Sequence, residues 1–131
     1  MIQLGSIVKV TDKTCVVLAQ CIKILGASKK RKAILGDLML VAVQWINPRK
    51  FSRPKIRLQQ KFLKGSIHRG LLIRGKMGFV RLPGIRIKFD ENSVVLVTRR
   101  VVPVSNRVYG PVLRELCERW PSLGCVSGCI I

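Results

Sequence analysis

A mainly β fold closed into a small barrel is what this chain of 131 residues predicts. The apolar runs at 6–10, 15–25, 37–46, 66–74, 85–89 and 93–98 are short and rich in Val, Ile and Leu. Polar or Gly/Pro-containing links separate them. Several alternate: in Cys21-Ile22-Lys23-Ile24-Leu25 and Ile85-Arg86-Ile87-Lys88-Phe89 apolar and basic residues change sides at each step. That pattern suits a strand with one face in a core and one outward. A meander of such strands in one domain-sized chain closes readily into a barrel, which removes exposed edges.

The opening residues, Met1 to Val10, read as strand. They lack the apolar core of a signal peptide and the Arg- and Ser-rich character of a transit peptide. The expectation is that the protein stays where it is made or that a presequence is missing. The longest apolar run, Leu38 to Val43, is far too short to cross a bilayer. Gly75, Gly78 and Gly84 mark the turns of a hairpin over Arg74 to Lys88. One segment has helical spacing. Pro111 fits its first turn, Val112, Leu113, Leu116 and Trp120 recur at three- and four-residue intervals, and Pro121 stops it. Arg114 with Glu118 and Glu115 with Arg119 stand four apart, as ion pairs on one helix face would. The small, apolar tail from Ser122 to Ile131 is expected to pack back on the barrel.

Charge restricts function more than any motif. Lys and Arg number 25 and Asp and Glu 6, for a formal charge of +19 on a chain that is 48% apolar. A disordered tail would lack the apolar residues, and a membrane helix would lack the charge. A folded domain so charged fits a polyanion, with nucleic acid first. From Leu38 to Phe89 there are 13 basic residues and no acidic one. Three concentrations stand out. Lys29, Lys30, Arg31 and Lys32 lie between two strand candidates. The connection from Asn47 to Gly65 carries Arg49, Lys50, Arg53, Lys55, Arg57, Lys61 and Lys64, and Pro48 and Pro54 break any continuous helix there. The hairpin carries Arg74, Lys76, Arg81, Arg86 and Lys88. Such residues would sit near phosphates, and Arg31, Arg53, Arg57 and Arg81 could clamp them bidentately or stack on bases. Phe51, Phe62 and Phe79 lie in basic segments, where anchoring loops to the barrel is the preferred reading over base stacking. Aromatics are only 5% of residues, which favours recognition of a folded, phosphate-rich surface over splayed bases.

Catalytic chemistry is poorly supplied. Asp12 and Asp37 fall at expected turns. Asp90 and Glu91 are adjacent on the chain and point apart. His68 is the only histidine, and no Ser/His/Asp, Cys/His or phosphate-cradling motif occurs. No enzyme, metal site, cofactor, membrane partner or small-molecule substrate is expected. Cys15, Cys21, Cys117, Cys125 and Cys129 are read as free and mostly buried thiols of a reducing compartment.

Ordered strings carry a resemblance along nearly the whole length. They run Met1-Ile2-Gln3, Val10-Thr11-Asp12, Cys21-Ile22-Lys23-Ile24-Leu25-Gly26, Gly36-Asp37, Asn47-Pro48-Arg49 and Lys64-Gly65. Arg86 to Asn92, Arg107-Val108-Tyr109-Gly110-Pro111-Val112 and Arg114-Glu115-Leu116 follow. Together they resemble the universal large-subunit ribosomal protein L-fourteen family. The resemblance implies a closed five-stranded barrel with a projecting ribbon and a short C-terminal helical segment. As a single domain it would divide into a barrel with basic loops, about 1–104, and a C-terminal segment, about 105–131. It implies a structural constituent of the large subunit that binds large-subunit rRNA and contacts small-subunit rRNA in a bridge. Neighbouring large-subunit proteins and a factor that silences subunit joining are further implied partners, with Ser105, Asn106, Arg107, Arg114 and Glu115 on the protein-facing surface. A free-standing basic barrel that binds nucleic acid is the alternative.

Some positions depart from the family pattern. Lys13-Thr14-Cys15-Val16 replaces the usual turn after Asp12, and Ser105-Asn106-Arg107 replaces Gly-Thr-Arg. Gly84-Ile85 stands at the Asp-Gly turn of the hairpin, and roughly Phe51 to Gln60 is an insertion. The inserted loop suggests an enlarged rRNA contact or a contact with an organelle-specific protein. Such drift points to a mitochondrial ribosome in the matrix, with a plastid or bacterial cytoplasmic ribosome as the alternative.

Overall fold

The computed structural model describes residues 2–51, 62–82 and 84–131. The greater part of the insertion, with Arg53, Lys55 and Arg57, lies outside these residues, as does Lys61.

Two short strands near the start set the scheme: β1 (Ile2–Gln3) and β2 (Ile7–Val10). Three long strands follow, β3 (Val16–Ile24), β5 (Leu38–Ile46) and β6 (Ile67–Arg74), with the two-residue β4 (Lys32–Ala33) between the first two. After β6 come the hairpin strands β7 (Phe79–Val80) and β8 (Arg86–Ile87), then β9 (Ser93–Val97). Strands β2-β3-β5-β6-β9 form a closed barrel. Its neighbours run antiparallel except at the closure, where β9 meets β2 in parallel through Lys9↔Ser93 and Val10↔Val94. All six apolar runs therefore contribute strand, and the expected hairpin forms as β7 against β8. A single turn, α1 (Pro48–Phe51), opens the long connection.

Inside the barrel, Val8, Ala19, Cys21, Met39, Val41, Leu72, Val94 and Leu96 belong to one buried cluster. A second cluster lies outside the wall. Leu71 and Ile73 of β6 and Val95 and Val97 of β9 pack there with Val108, Val112, Leu113, Leu116 and Leu123. Two-sided burial explains the continuous apolar runs Leu71–Ile73 in β6 and Val94–Val97 in β9.

The alternation at Cys21–Leu25 slips. Cys21 and Ile24 are buried while Ile22 and Lys23 are both exposed. The pairing with β5 shifts between Cys21 and Lys23, so a bulge takes up the extra residue and re-aims the strand. Near Lys88 the alternation holds: Ile87 and Phe89 are half-buried, and Arg86 and Lys88 are exposed.

The C-terminal segment corrects the helix boundaries. Pro111 does not open a helix; it lies in β10 (Val108–Val112), which pairs in parallel with β11 (Ser127–Ile130). The Tyr109 amide also bonds to the Thr11 carbonyl at 2.8 Å, so tertiary pairing overrides the helical signal. Helix α2 (Arg114–Arg119) begins after Leu113, and Pro121 starts a second short helix, α3 (Pro121–Val126). The tail does pack back, with Leu123 fully buried and β11 on β10. The five thiols are free, but only Cys15 and Cys21 are buried; Cys125 and Cys129 are exposed.

Candidate nucleic-acid interface

The first basic loop is fixed at both ends. Ala33 and Ile2 are buried together where β4 pairs with β1. Gly36 takes a φ of +87°, and a Cβ there would come within 3.0 Å of Leu116. Asp37 accepts the Ile34 amide at 2.8 Å and pairs with Lys30 at 2.7 Å. Lys30 is thereby held inside the loop. Lys29, Arg31 and Lys32 remain exposed, with no carboxylate of the described residues within ion-pair reach.

In the second concentration, Arg49 and Lys64 are exposed. The Arg49 amide bonds to Asn47 at 3.1 Å. Half-buried Lys50 sits 5.8 Å over the Tyr109 ring. Phe62 is buried and meets His68 edge-on, and Phe79 is half-buried against the second cluster, so both anchor rather than stack.

The hairpin residues divide. Lys76, Arg86 and Lys88 face solvent, Arg86 also donating to the Met77 carbonyl at 3.2 Å. Arg74, expected at a phosphate, is instead buried, because its end of the strand is covered on both faces. It donates to the Tyr109 carbonyl at 3.0 Å and stands 3.5 Å from Glu91. Burial presses its pKa below the arginine value, with the charge of Glu91 opposing. Arg81 is engaged too: it bonds through two nitrogens to Glu115 and reaches the Ile131 carbonyl, tying the hairpin to α2 and the chain end. Its hydrogen bond holds the Glu115 carboxyl below the ordinary value. That pairing replaces the expected Glu115–Arg119 contact, and Arg119 lies 4.5 Å over the Trp120 ring. Glu115 is therefore a strut between elements.

On the segment expected to face proteins, Asn106, Arg107 and Arg114 are exposed. Ser105 donates to the Arg107 carbonyl at 3.0 Å, and the Arg107 guanidinium stands 5.8 Å from the Tyr109 ring centre. The adjacent turn holds a pair that sequence reasoning passed over, Arg99 and Arg100, both exposed. Val101 follows at φ +61°, an uncommon conformation for a β-branched residue. An Arg-Arg pair between an apolar run and Pro103 was the available signal.

The acids do structural work. Glu91 joins Lys9 at 2.9 Å, Ser93 at 3.0 Å and Arg74. Burial raises its pKa, but those partners together bring it below the ordinary value. Asp12 is buried, turning the chain through the Thr14 amide and hydroxyl and accepting the Leu96 amide at 3.1 Å. Burial pushes its pKa above 3.8, the hydrogen bonds acting in the opposite direction. A carboxyl with a raised folded pKa binds its proton more tightly in the native state. Its contribution to stability therefore falls as pH rises from 3.8 through the folded value. Asp12→Asn removes that titration. Urea midpoints at pH about 4 and about 6 should shift in the variant's favour at the higher pH. A wild-type-to-variant difference that does not change with pH would contradict this account.

Among the described residues no group of three His, Cys, Asp or Glu side chains could hold a metal ion. What the arrangement offers is a barrel with separate basic projections and an ion-paired C-terminal cover. The family model for ribosomal protein L14p/L23e matches residues 1–131, every residue of the sequence. The chain belongs to the ribosomal protein L14p/L23e family and is a structural protein of the large ribosomal subunit.

Proposed function

We propose that the protein anchors large-subunit rRNA through its basic projections and turns its C-terminal segment toward the subunit interface. The observation that carries this reading is the fixed loop presenting Lys29, Arg31 and Lys32 without carboxylate partners among the described residues. Such cations gain by releasing counterions from phosphates. Lys64, Lys76, Arg86 and Lys88 extend the same surface chemistry. Asn106, Arg107 and Arg114 serve the bridge to small-subunit rRNA and the docking of a joining-silencing factor. The departures at Lys13–Val16 and Ser105–Arg107 favour a mitochondrial ribosome.

Replacing Lys29, Arg31 and Lys32 together by Ala should leave the isolated protein folded and reduce its binding to large-subunit rRNA. The salt dependence, plotted as log K against log salt, should lose about one unit of slope for each phosphate contact removed. An unchanged slope and unchanged incorporation into the large subunit would refute anchoring by this loop. Equal affinity for unrelated duplexes, with no ribosomal association, would favour a free-standing nucleic-acid-binding barrel instead.

A further inference from the structure

The barrel wall has two halves, and the described residues cover only one. Its own C-terminal segment packs on β6 and β9. The other half is defined by register. Ile7 pairs with Gln20, Gln20 with Ala42, and Ala42 with Ile67, one row across four strands. Lys9 pairs with Leu18 and Leu18 with Trp45 in a second row. Lys23, Leu40 and Arg69 make a third. Directly paired residues share a face.

This face carries large apolar side chains in the open. Ile7 and Ile67 are each 62% exposed and Trp45 is 57% exposed. Gln20 and Gln44 bond to each other at 2.8 Å and add no charge. On a chain of +19, the row Ile7–Gln20–Ala42–Ile67 is neutral. Phosphates need cations that this row does not supply, so an RNA backbone is a poor cover. An apolar patch bordered by charge fits a protein. Two cations of the third row, Lys23 and Arg69, have no carboxylate within ion-pair reach among the described residues. Lys9 of the second row already pairs with Glu91.

We infer that the outer face of β2, β3, β5 and the Ile67–Arg69 end of β6 docks a neighbouring large-subunit protein through an apolar segment bordered by carboxylates. The apolar part covers Ile67 and Trp45, and the carboxylates meet Lys23 and Arg69. This rests on the placement of the chain in the large subunit.

The test uses assembled large subunits in which Ile67 is replaced by the photocrosslinker p-benzoylphenylalanine. Ile67 is exposed, so the protein should fold and incorporate. Irradiation should join it to a peptide of another ribosomal protein that holds apolar residues with Asp or Glu beside them. In the same background, Lys23→Glu with Arg69→Glu should cut the crosslink yield at least about tenfold while the chain still sediments with the subunit. Crosslinks only to rRNA, to a second copy of the chain, to a segment without carboxylates, or to nothing would each overturn the proposal. So would an unchanged yield in the charge-reversed variant. Absence of the chain from the large-subunit fraction before irradiation would overturn the ribosomal placement itself, and is read separately.

Discussion

Gly110→Ala should destabilise the protein by about 3 kcal/mol, although the residue is at the surface. Gly110 has a φ of +84°, and a Cβ built there would stand 2.1 Å from Nη1 of Arg74. A flexible side chain can usually withdraw from such a clash. Arg74 cannot do so cheaply, because its guanidinium is buried, bonds to the Tyr109 carbonyl and lies beside Glu91. Moving it would strand a buried charge and free a carbonyl together. Gly26→Ala separates the two costs. Gly26 has a φ of +113° and open space around its Cβ position, so it should show backbone strain alone, about 1 kcal/mol. Urea unfolding of both variants provides the measurement. Equal losses at the two sites would mean that the Arg74 contact contributes nothing.

The same pair shows how far the sequence could be read. Local patterns located every barrel strand, because each holds enough Val, Ile and Leu to bury at least one face. They located the hairpin because glycines mark its turns. The family resemblance marked Arg107 to Val112, but not its physics. Gly110 is required by a guanidinium 36 positions earlier, and no local pattern carries that information. For the same reason Arg74 and Arg81 read as phosphate ligands: a basic residue in a basic run looks alike whether solvent or Glu91 and Glu115 await it. Pro111 misled in the opposite sense. A proline that can open a helix also suits a strand position that needs no donor, and only the pairing of β10 with Thr11 and β11 decides between them. The exposed apolar face was hidden because Ile7, Leu18, Ala42 and Ile67 look like ordinary strand alternation until the register aligns them.

Leu123→Asp should detach the C-terminal cover and leave the barrel closed. Leu123 is fully buried in the outer cluster, among Leu71, Ile73, Val95 and Val97 from the wall and Val112, Leu113 and Leu116 from the cover. An unpaired carboxylate in that layer should cost about 4 kcal/mol or more. The inner cluster shares no fully buried residue with it, since Val8, Val41, Leu72 and Leu96 point the other way. The two layers can therefore fail separately. Limited proteolysis should cut the variant between Leu113 and Ile131, and hydrogen exchange should show amides of β3 and β5 still protected. The uncovered faces of β6 and β9 should bind a hydrophobic dye. Val41→Asp, which places the charge inside the barrel, should abolish protection throughout. If Leu123→Asp also unfolds β3 and β5, cover and barrel form one cooperative unit, and the outer cluster is part of what closes the barrel.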